Sequence, residues 1–209
     1  MLEPIDRVSE VLFGVIMALT FTCTLGVATA GEGAVRTMLF GALSCNLAWG
    51  IIDGGIYLMA RLNERGARLR TVRAIRDTPD AAVAQQIIAE NLPEVVVPLL
   101  PPEQFESLRQ KLRQMPEPAS GPTLDKQDGL AALAICALSF LSTFPIVIPF
   151  IFVSDPRLAL RVSNIVAIAM LFLCGYALGR YSGIRPWLAG VSMVAFGTSL
   201  VGVAILLGG

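Results

Sequence analysis

Apolar runs alternate with polar segments along the chain and predict five transmembrane helices. The runs cover residues 11–30, 37–60, 129–153, 162–179 and 186–208. Crossing about 30 Å of hydrocarbon takes roughly 20 helical residues, which every run except the short fourth supplies in full. The segment before the first run carries Glu3, Asp6 and Glu10 but only one arginine. We therefore interpret the first run as a membrane span, because the leading segment of a signal peptide is positive.

The polar stretch between the second and third runs predicts one large soluble segment. Its first part, residues 61–76, is basic at nearly every helical turn and is expected to extend the second transmembrane helix. Two short helices are predicted over residues 81–91 and 103–114, with Thr78 as N-cap of the first and Pro79 at its first helical position. Residues 116–127 are predicted to form a linker.

These elements predict an all-α polytopic membrane protein with three parts. Transmembrane helices 1 and 2 occupy residues 1–60, a helical cytoplasmic insert occupies residues 61–128, and transmembrane helices 3 to 5 occupy residues 129–209. Charge predicts the orientation: with a cytoplasmic N-terminus, 13 of the 16 basic residues lie inside and three lie outside. This satisfies the positive-inside rule and puts the C-terminus outside. A bacterial inner membrane is the expected location.

The amino-acid composition indicates a membrane protein and excludes several kinds of catalytic and binding site. Apolar residues make up 55% of the chain and charged residues 15%, whereas soluble domains are about half apolar and a quarter charged. Histidine is absent, which excludes imidazole acid–base catalysis, Ser-His-Asp nucleophiles and zinc sites that need imidazole. The basic residues form no phosphate-binding face, so nucleic-acid binding is not expected. We expect no enzyme activity and no cofactor.

Asp53 is the most informative residue, because it is the one formal charge within the five predicted spans. A carboxylate near the bilayer centre costs at least about 2.5 kcal/mol on insertion scales. It is therefore expected to face the helix bundle and to serve an ion, a proton or a partner. Asn46 and Gly50 lie on the same helical stripe as Asp53.

The first span carries a matching stripe. Polar or sulfur-containing side chains recur there every seven residues, at Glu3, Glu10, Met17 and Thr24, and Asp6 follows Glu3 by three. A rise of 1.5 Å per residue puts Asp53 roughly 12 Å and Met17 roughly 10 Å into the membrane, so the two are expected to face each other at one level. Alternatively, Met17 serves only for packing, and Glu10 is an interfacial charge that favours the helix dipole.

Carboxylate, thioether and amide ligands together suit a divalent first-row metal better than calcium or magnesium, which prefer oxygen alone. The residues predicted to attract or bind that metal are Asp53, Met17, Asn46, Glu10, Asp6 and Glu3.

Two further patterns concern helix packing. Pro145 and Pro149, four residues apart, predict a kink in the third span. Gly175, Gly179 and Gly183 repeat at the spacing that lets two helices approach closely, either within the bundle or in a dimer.

Several of these segments resemble the vacuolar iron transporter family. They are ALSFL at 137–141, LFLCGYALGR at 171–180, SGIRP at 182–186 and GALS at 41–44. Together they cover about two thirds of the chain in the family's order, and the chain is identified as a divergent bacterial-type member. The resemblance implies a homodimeric exchanger in the lipid bilayer. It would move ferrous iron, and often manganese, out of the cytosol against protons, through a pathway formed by the first two helices at the subunit interface.

The chain departs from the family pattern at the metal site. The family's Asn-Asp-Gly in the first helix is replaced by residues 15–18 (VIMA), and Trp49 or a neighbour stands where the family has a glutamate. Asp53, about one turn later, is the predicted substitute. The insert offers Glu90, Glu94, Glu103, Glu106 and Met115, fewer potential ligands than iron-handling members carry.

The alternative function is a non-transporting membrane scaffold or regulatory protein. In that case Asp53 would form a structural hydrogen bond to Asn46, Thr24 or Trp49 of a partner.

Overall fold

The computed structural model describes residues 3–24, 32–115 and 121–206, and the regular elements in these ranges are helical. This confirms the all-α prediction. The helices are α1 (Pro4–Thr24), α2 (Glu32–Asp77), α3 (Ala81–Glu90), α4 (Pro102–Gln114), α5 (Lys126–Leu141), α6 (Phe144–Val147), α7 (Pro149–Phe152), α8 (Pro156–Tyr181) and α9 (Pro186–Leu206), with a 3₁₀ turn at Val97–Leu99.

α2 is continuous over 46 residues, which confirms that residues 61–76 extend the second helix. No proline interrupts it, and arginine, frequent in its second half, is a good helix former. The Glu64 carboxylate also pairs with Arg61 at 2.8 Å and with Arg68 at 2.5 Å. These pairs are three and four residues apart, the spacings at which opposite charges stabilise a helix.

The third span is interrupted near the two prolines that predicted a kink. α5 ends at Leu141, and α6 and α7 follow as two single-turn helices. Pro145 and Pro149 lack the backbone N–H that would continue the hydrogen-bond ladder, so the helix divides at these residues. α5 begins at Lys126, three residues before the predicted start, so the predicted linker is shorter at that end.

Within the described residues, four helical segments are long and apolar enough to cross a membrane: Val35–Asp77, Lys126–Phe152, Pro156–Tyr181 and Pro186–Val203. They correspond to predicted spans two to five. The first predicted span corresponds to α1, but its residues 25–30 and the Thr24 side chain lie outside the described part, as do residues 116–120 of the linker and 207–208 of the fifth run. The count of five spans therefore stays a prediction.

The glycine repeat serves packing within one chain. A Cβ on Gly175 would lie 2.6 Å from the Ala189 carbonyl oxygen, and one on Gly179 would lie 2.7 Å from the Ala189 Cβ. α8 and α9 thus approach closely through these two glycines. Gly183 instead adopts φ = 72° in the turn between the helices. The turn accounts for a glycine at position 183, because a left-handed backbone conformation favours glycine.

The chain divides into two compact units, Met1–Tyr57 with Lys126–Gly209 and, separately, Leu58–Asp125. We call the first the bundle unit and the second the insert unit. The core of the bundle unit joins α1, α6, α8 and α9 through Val15, Ala18, Leu19, Ile146, Ala167, Leu171 and Val201.

In the insert unit, the apolar faces of α3 and α4 pack around Ala84 and Ile88, with Ile75 from α2. Both predicted helices are present, but the predicted N-cap was wrong. The cap of α3 is Asp80, whose Oδ1 accepts a hydrogen bond of 2.8 Å from the Ala82 N–H. Thr78 instead donates its hydroxyl hydrogen to the Ala74 carbonyl oxygen at the end of α2. The Thr78 hydroxyl group is therefore bonded to the end of α2, and the Asp80 carboxylate caps α3.

Candidate functional site

The relative positions of α1 and α2 are set by two contacts in the bundle unit. The Asn46 side-chain amide donates a hydrogen bond of 3.1 Å to the Gly14 carbonyl oxygen. Gly41 precedes Asn46 by five residues on α2, and Phe21 follows Gly14 by seven residues on α1. A Cβ on Gly41 would lie 3.5 Å from the Phe21 side chain. The two helices are therefore antiparallel neighbours, with Asn46 at the level of Gly14.

This register brings Asp53 beside Glu10. Asp53 lies seven residues, roughly 10 Å, from Asn46, and Glu10 lies four residues, roughly 6 Å, from Gly14 in the same direction. Both side chains are half-buried, and the Asp53 charge is close enough to repel the charge of Glu10. One oxygen of Glu10, Oε2, is buried and accepts no hydrogen bond from the described residues. The structure thus brings together two of the predicted metal ligands.

Asp6 and Glu3 lie at the exposed start of α1. The Asp6 charge also acts on Glu10, one helical turn away. The backbone N–H of Glu3 donates a hydrogen bond of 3.3 Å to Asp6 Oδ2, so Asp6 also satisfies a free donor at the helix start. Together with Glu10, these residues form an acidic end of α1.

Met17 does not lie level with Asp53, and this expectation was wrong. Met17 is three residues beyond Gly14 in the direction away from Glu10, so it is roughly 15 Å from Asp53 along the helix axes. The expectation took Arg61 and Glu10 as marks of the same depth, but the register puts Glu10 within roughly 4 Å of the level of Asp53. Met17 lies instead near the level of Asn46 and stays a predicted ligand there.

Asn46 links three helical segments. It is 1% exposed, and besides Gly14 its amide nitrogen donates a hydrogen bond of 2.5 Å to Thr143 Oγ1, in the break between α5 and α6. The Gly14 carbonyl can only accept a hydrogen bond, so the nitrogen must face it and the orientation of the amide is fixed. The Asn46 oxygen, Oδ1, is buried and receives no hydrogen bond from the described part of the chain.

Glycines allow these helices to lie close together. A Cβ on Gly50 would lie 2.9 Å from the Cys136 carbonyl oxygen, and one on Gly54 would lie 2.9 Å from that of Ala132, so α2 packs directly on the α5 backbone. On α1, a Cβ on Gly14 would lie 2.5 Å from the Ser139 carbonyl oxygen and would overlap Ser142 Oγ. Side chains at these positions would separate α1 and α2 from α5.

Sequence reasoning missed several buried polar residues. Asp128, in the first turn of α5, is 3% exposed, although the predicted span began one residue after it. Thr143, Ser139 and Ser142 are also buried, at the break in the third span. The two prolines were the available signal for this cluster, because a broken helix leaves backbone groups that nearby polar side chains can satisfy.

Within residues 3–24, 32–115 and 121–206, no three acidic or cysteine side chains lie together as a potential metal site. The described part of one chain therefore offers the Glu10–Asp53 pair, with Asp6 near its outer end, as its acidic site. Two carboxylates from neighbouring helices can bind a cation, but they leave further coordination positions open.

A search of the curated proteins found no match. The sequence model of the VIT family matches residues 8–209, a range that contains Glu10, Asp53 and all the helices from α2 to α9. The chain therefore belongs to the VIT family, the vacuolar iron transporter family, and is an integral membrane protein of a family that transports metal ions.

Proposed function

We propose that this protein exports Fe²⁺ or Mn²⁺ from the cytoplasm in exchange for protons, and that Glu10 and Asp53 form the first binding site. The proposal is supported most directly by the Glu10–Asp53 pair, in which two half-buried carboxyl groups from different helices repel each other. Nothing in the described residues donates to Glu10 Oε2, so this oxygen is available to a ligand.

The same pair supplies a mechanism for exchange. Two neighbouring carboxylates are stabilised either by a divalent cation between them or by protons that neutralise them. The metal requires the ionised carboxylates that protons remove, so the two ligands exclude each other. A proton that binds from the far side would then release the metal, and loss of the proton on the cytoplasmic side would restore the site.

The six predicted residues would form three successive groups along this pathway. Glu3 and Asp6 would raise the local concentration of cations at the acidic end of α1, and Glu10 and Asp53 would bind the metal first. Met17 and Asn46 lie farther along the helices, and the Met17 thioether there would favour a first-row transition metal over magnesium or calcium.

The proposed protein has a cytoplasmic N-terminus and acts as a homodimer. The distribution of basic residues favours a cytoplasmic N-terminus, which places the acidic end of α1 on the side from which metal is exported. Because no three acidic or cysteine side chains lie together as a potential metal site in the described part of one chain, a homodimer would provide the remaining ligands at the subunit interface. The expected location is a bacterial inner membrane.

The alternative is a membrane scaffold that does not transport. The hydrogen bonds of Asn46 to Gly14 and Thr143 favour it, because they give one predicted ligand a structural role. For a scaffold, Asp53→Asn should preserve both the fold and the cellular phenotype, and transport assays should read background.

Purified protein in liposomes tests the proposal. Uptake of Mn²⁺ and Fe²⁺ is measured against Mg²⁺ and Ca²⁺, with a pH-sensitive dye inside the vesicles. We expect Mn²⁺ or Fe²⁺ to move together with an opposite proton flux, and Mg²⁺ and Ca²⁺ to move much more slowly. Metal flux equal to that of protein-free liposomes would contradict the proposal.

A further inference from the structure

An open groove runs along one side of α5 in the bundle unit. Arg7 of α1 lines it together with residues of α5 from Gln127 to Leu141. The groove has a volume of about 830 Å³, which falls in the range of about 300–1,000 Å³ that is usual for ligand sites. Two leucines along it, Leu130 and Leu141, are 66% and 57% exposed, so the groove is open to the surroundings of the bundle.

The groove lies on the side of α5 that faces away from α2. Glycines of α2 pack on the α5 backbone at Ala132 and Cys136. With 3.6 residues per turn, Ala134 and Leu141 lie on roughly the opposite side of the helix from these two residues. In a membrane protein, a side of a helix that points away from its neighbour meets either lipid or a second copy of the chain.

The part of the groove along α5 suits one acyl chain. The small side chains of Ala131, Ala134 and Ala137 leave space between the longer leucine side chains. From Gln127 to Leu141 the helix rises roughly 21 Å, whereas half of the hydrocarbon core of a bilayer measures about 15 Å. The groove is therefore long enough for the acyl region of one leaflet.

The two polar residues of the groove lie toward one end of it. α1 and α5 are parallel, because each is antiparallel to α2, and Gly14 lies against the Ser139 backbone. Arg7, seven residues before Gly14, is thus near the level of Ala132, and a helical side chain points toward the start of its helix. Arg7 and Gln127 are both exposed. The Arg7 guanidinium has five N–H donors, so it can bind a phosphate group and still keep another partner.

The acidic residues near this end do not occupy the groove. Asp6 Oδ2 accepts a hydrogen bond of 3.3 Å from the Glu3 N–H at the start of α1. Asp128 is 3% exposed and does not line the groove. Lys126, the exposed first residue of α5, adds a second positive charge at the same end. A positive charge at the end of an apolar groove complements a phospholipid with a negative headgroup.

We propose that this groove binds one anionic phospholipid, with its phosphate on Arg7 and one acyl chain along α5. The lipid would belong to the leaflet on the side of the N-terminus, where basic pockets between membrane helices bind anionic headgroups. An apolar helix from a second copy would fill the groove but would make no use of the Arg7 charge. The proposal concerns lipid binding, so it holds whether or not the protein transports a metal.

Native mass spectrometry of the purified full-length protein in detergent tests the headgroup contact. The protein is titrated with phosphatidylglycerol or with phosphatidylcholine that carries the same acyl chains. We expect the first phosphatidylglycerol to bind roughly fivefold more tightly, the effect of one basic residue near anionic lipid. Arg7→Gln should lose this preference and Arg7→Lys should keep most of it. Arg180→Gln, at an exposed position in the last turn of α8, should keep all of it.

A second pair of variants tests the acyl-chain contact. Ala137→Phe would fill the groove and should weaken binding of the first phosphatidylglycerol. Leu133→Phe should leave it unchanged, because Leu133 is 65% exposed on α5 and does not line the groove. The Arg7 variants alter an exposed side chain, so they test the site even if Ala137→Phe fails to fold.

Three results would overturn the proposal. The first is equal affinity of the unmodified protein for the two lipids. The second is undiminished binding of phosphatidylglycerol to Arg7→Gln and to folded Ala137→Phe. The third is loss of the dimer mass in Ala137→Phe with unchanged lipid binding, which would assign the groove to a second copy of the chain.

Discussion

Asp53 on α2 places its negative charge beside Glu10 on α1, although 42 positions separate them in the sequence. The hydrogen bond from Asn46 to Gly14 sets the register that produces this pairing. A carboxylate that entered the membrane alone would have to be paired or neutralised. Here it meets a second carboxylate, and the resulting repulsion favours a shared cation or a proton.

The close packing of α2 on α5 predicts different effects at two nearby glycines. Gly50→Ala would put a Cβ 2.9 Å from the Cys136 carbonyl oxygen, whereas nothing lies within 4 Å of a Cβ on Gly55. We expect Gly50→Ala to lower the free energy of unfolding by about 1–3 kcal/mol through overpacking. Gly55→Ala should be neutral or stabilising by up to about 1 kcal/mol, because alanine favours helix. Thermal unfolding in detergent measures both, and equal stability of the two variants would contradict this packing.

The cap of α3 can be tested by a pair of substitutions. Asp80→Ala removes the acceptor for the Ala82 N–H and should destabilise α3 by about 1 kcal/mol. Thr78→Ala should have a smaller effect on α3, because the Thr78 hydroxyl bonds to α2. Amide hydrogen exchange in α3 reports both variants. Faster amide exchange in α3 of Thr78→Ala than of Asp80→Ala would show that Thr78 is the N-cap, as predicted from the sequence.

Acid should loosen the contact between α3 and α4 at Glu106. Hydrogen bonds from Gln110 and Gln85, together with Arg109, lower the pKa of the Glu106 carboxyl group below its ordinary value. Since the folded-state pKa lies below the unfolded one, ionised Glu106 stabilises the fold above the ordinary value of about 4.3, and this contribution is lost as pH falls through the folded-state pKa.

Hydrogen exchange of α3 and α4 in the full-length protein measures this pH dependence. Exchange, corrected for its intrinsic pH dependence, should show less protection at acid pH in the unmodified protein. Glu106→Gln should remove part of that change, and Glu103→Gln, exposed in the first turn of α4, should leave it intact. The same acid response in both variants would show that Glu106 is not its source.

The sequence predicted those elements whose causes are local. The continuous basic half of α2 and the division of the third span follow from residue type and spacing alone, because arginine favours helix and proline interrupts it. The prediction of the α3 N-cap was wrong because Thr78 and Asp80 are both good cap residues. The choice between them depends on where α2 ends, which is a property of the whole helix.

The candidate site was predicted in its residues but not in its geometry. Asp53 was identifiable as a lone charge in an apolar run, and Glu10 by its place on a helical stripe. Their pairing depends on the register between α1 and α2, which Asn46, Gly14 and the glycines facing α5 determine through contacts distant in sequence. Counting depth from Arg61 on α2 and from Glu10 on α1 therefore paired Asp53 with Met17 in place of Glu10.

The most direct test of the central claim is metal flux through Asp53→Asn, which keeps the size of the side chain and removes its charge. The measurement is Mn²⁺ uptake into proteoliposomes with simultaneous internal pH, for the unmodified protein, Asp53→Asn and the control Glu103→Gln at equal protein content. We predict that Asp53→Asn loses metal and proton flux by roughly tenfold or more, the change that about 1.4 kcal/mol of lost binding free energy produces, and that Glu103→Gln retains both. Undiminished coupled flux through Asp53→Asn would contradict the account.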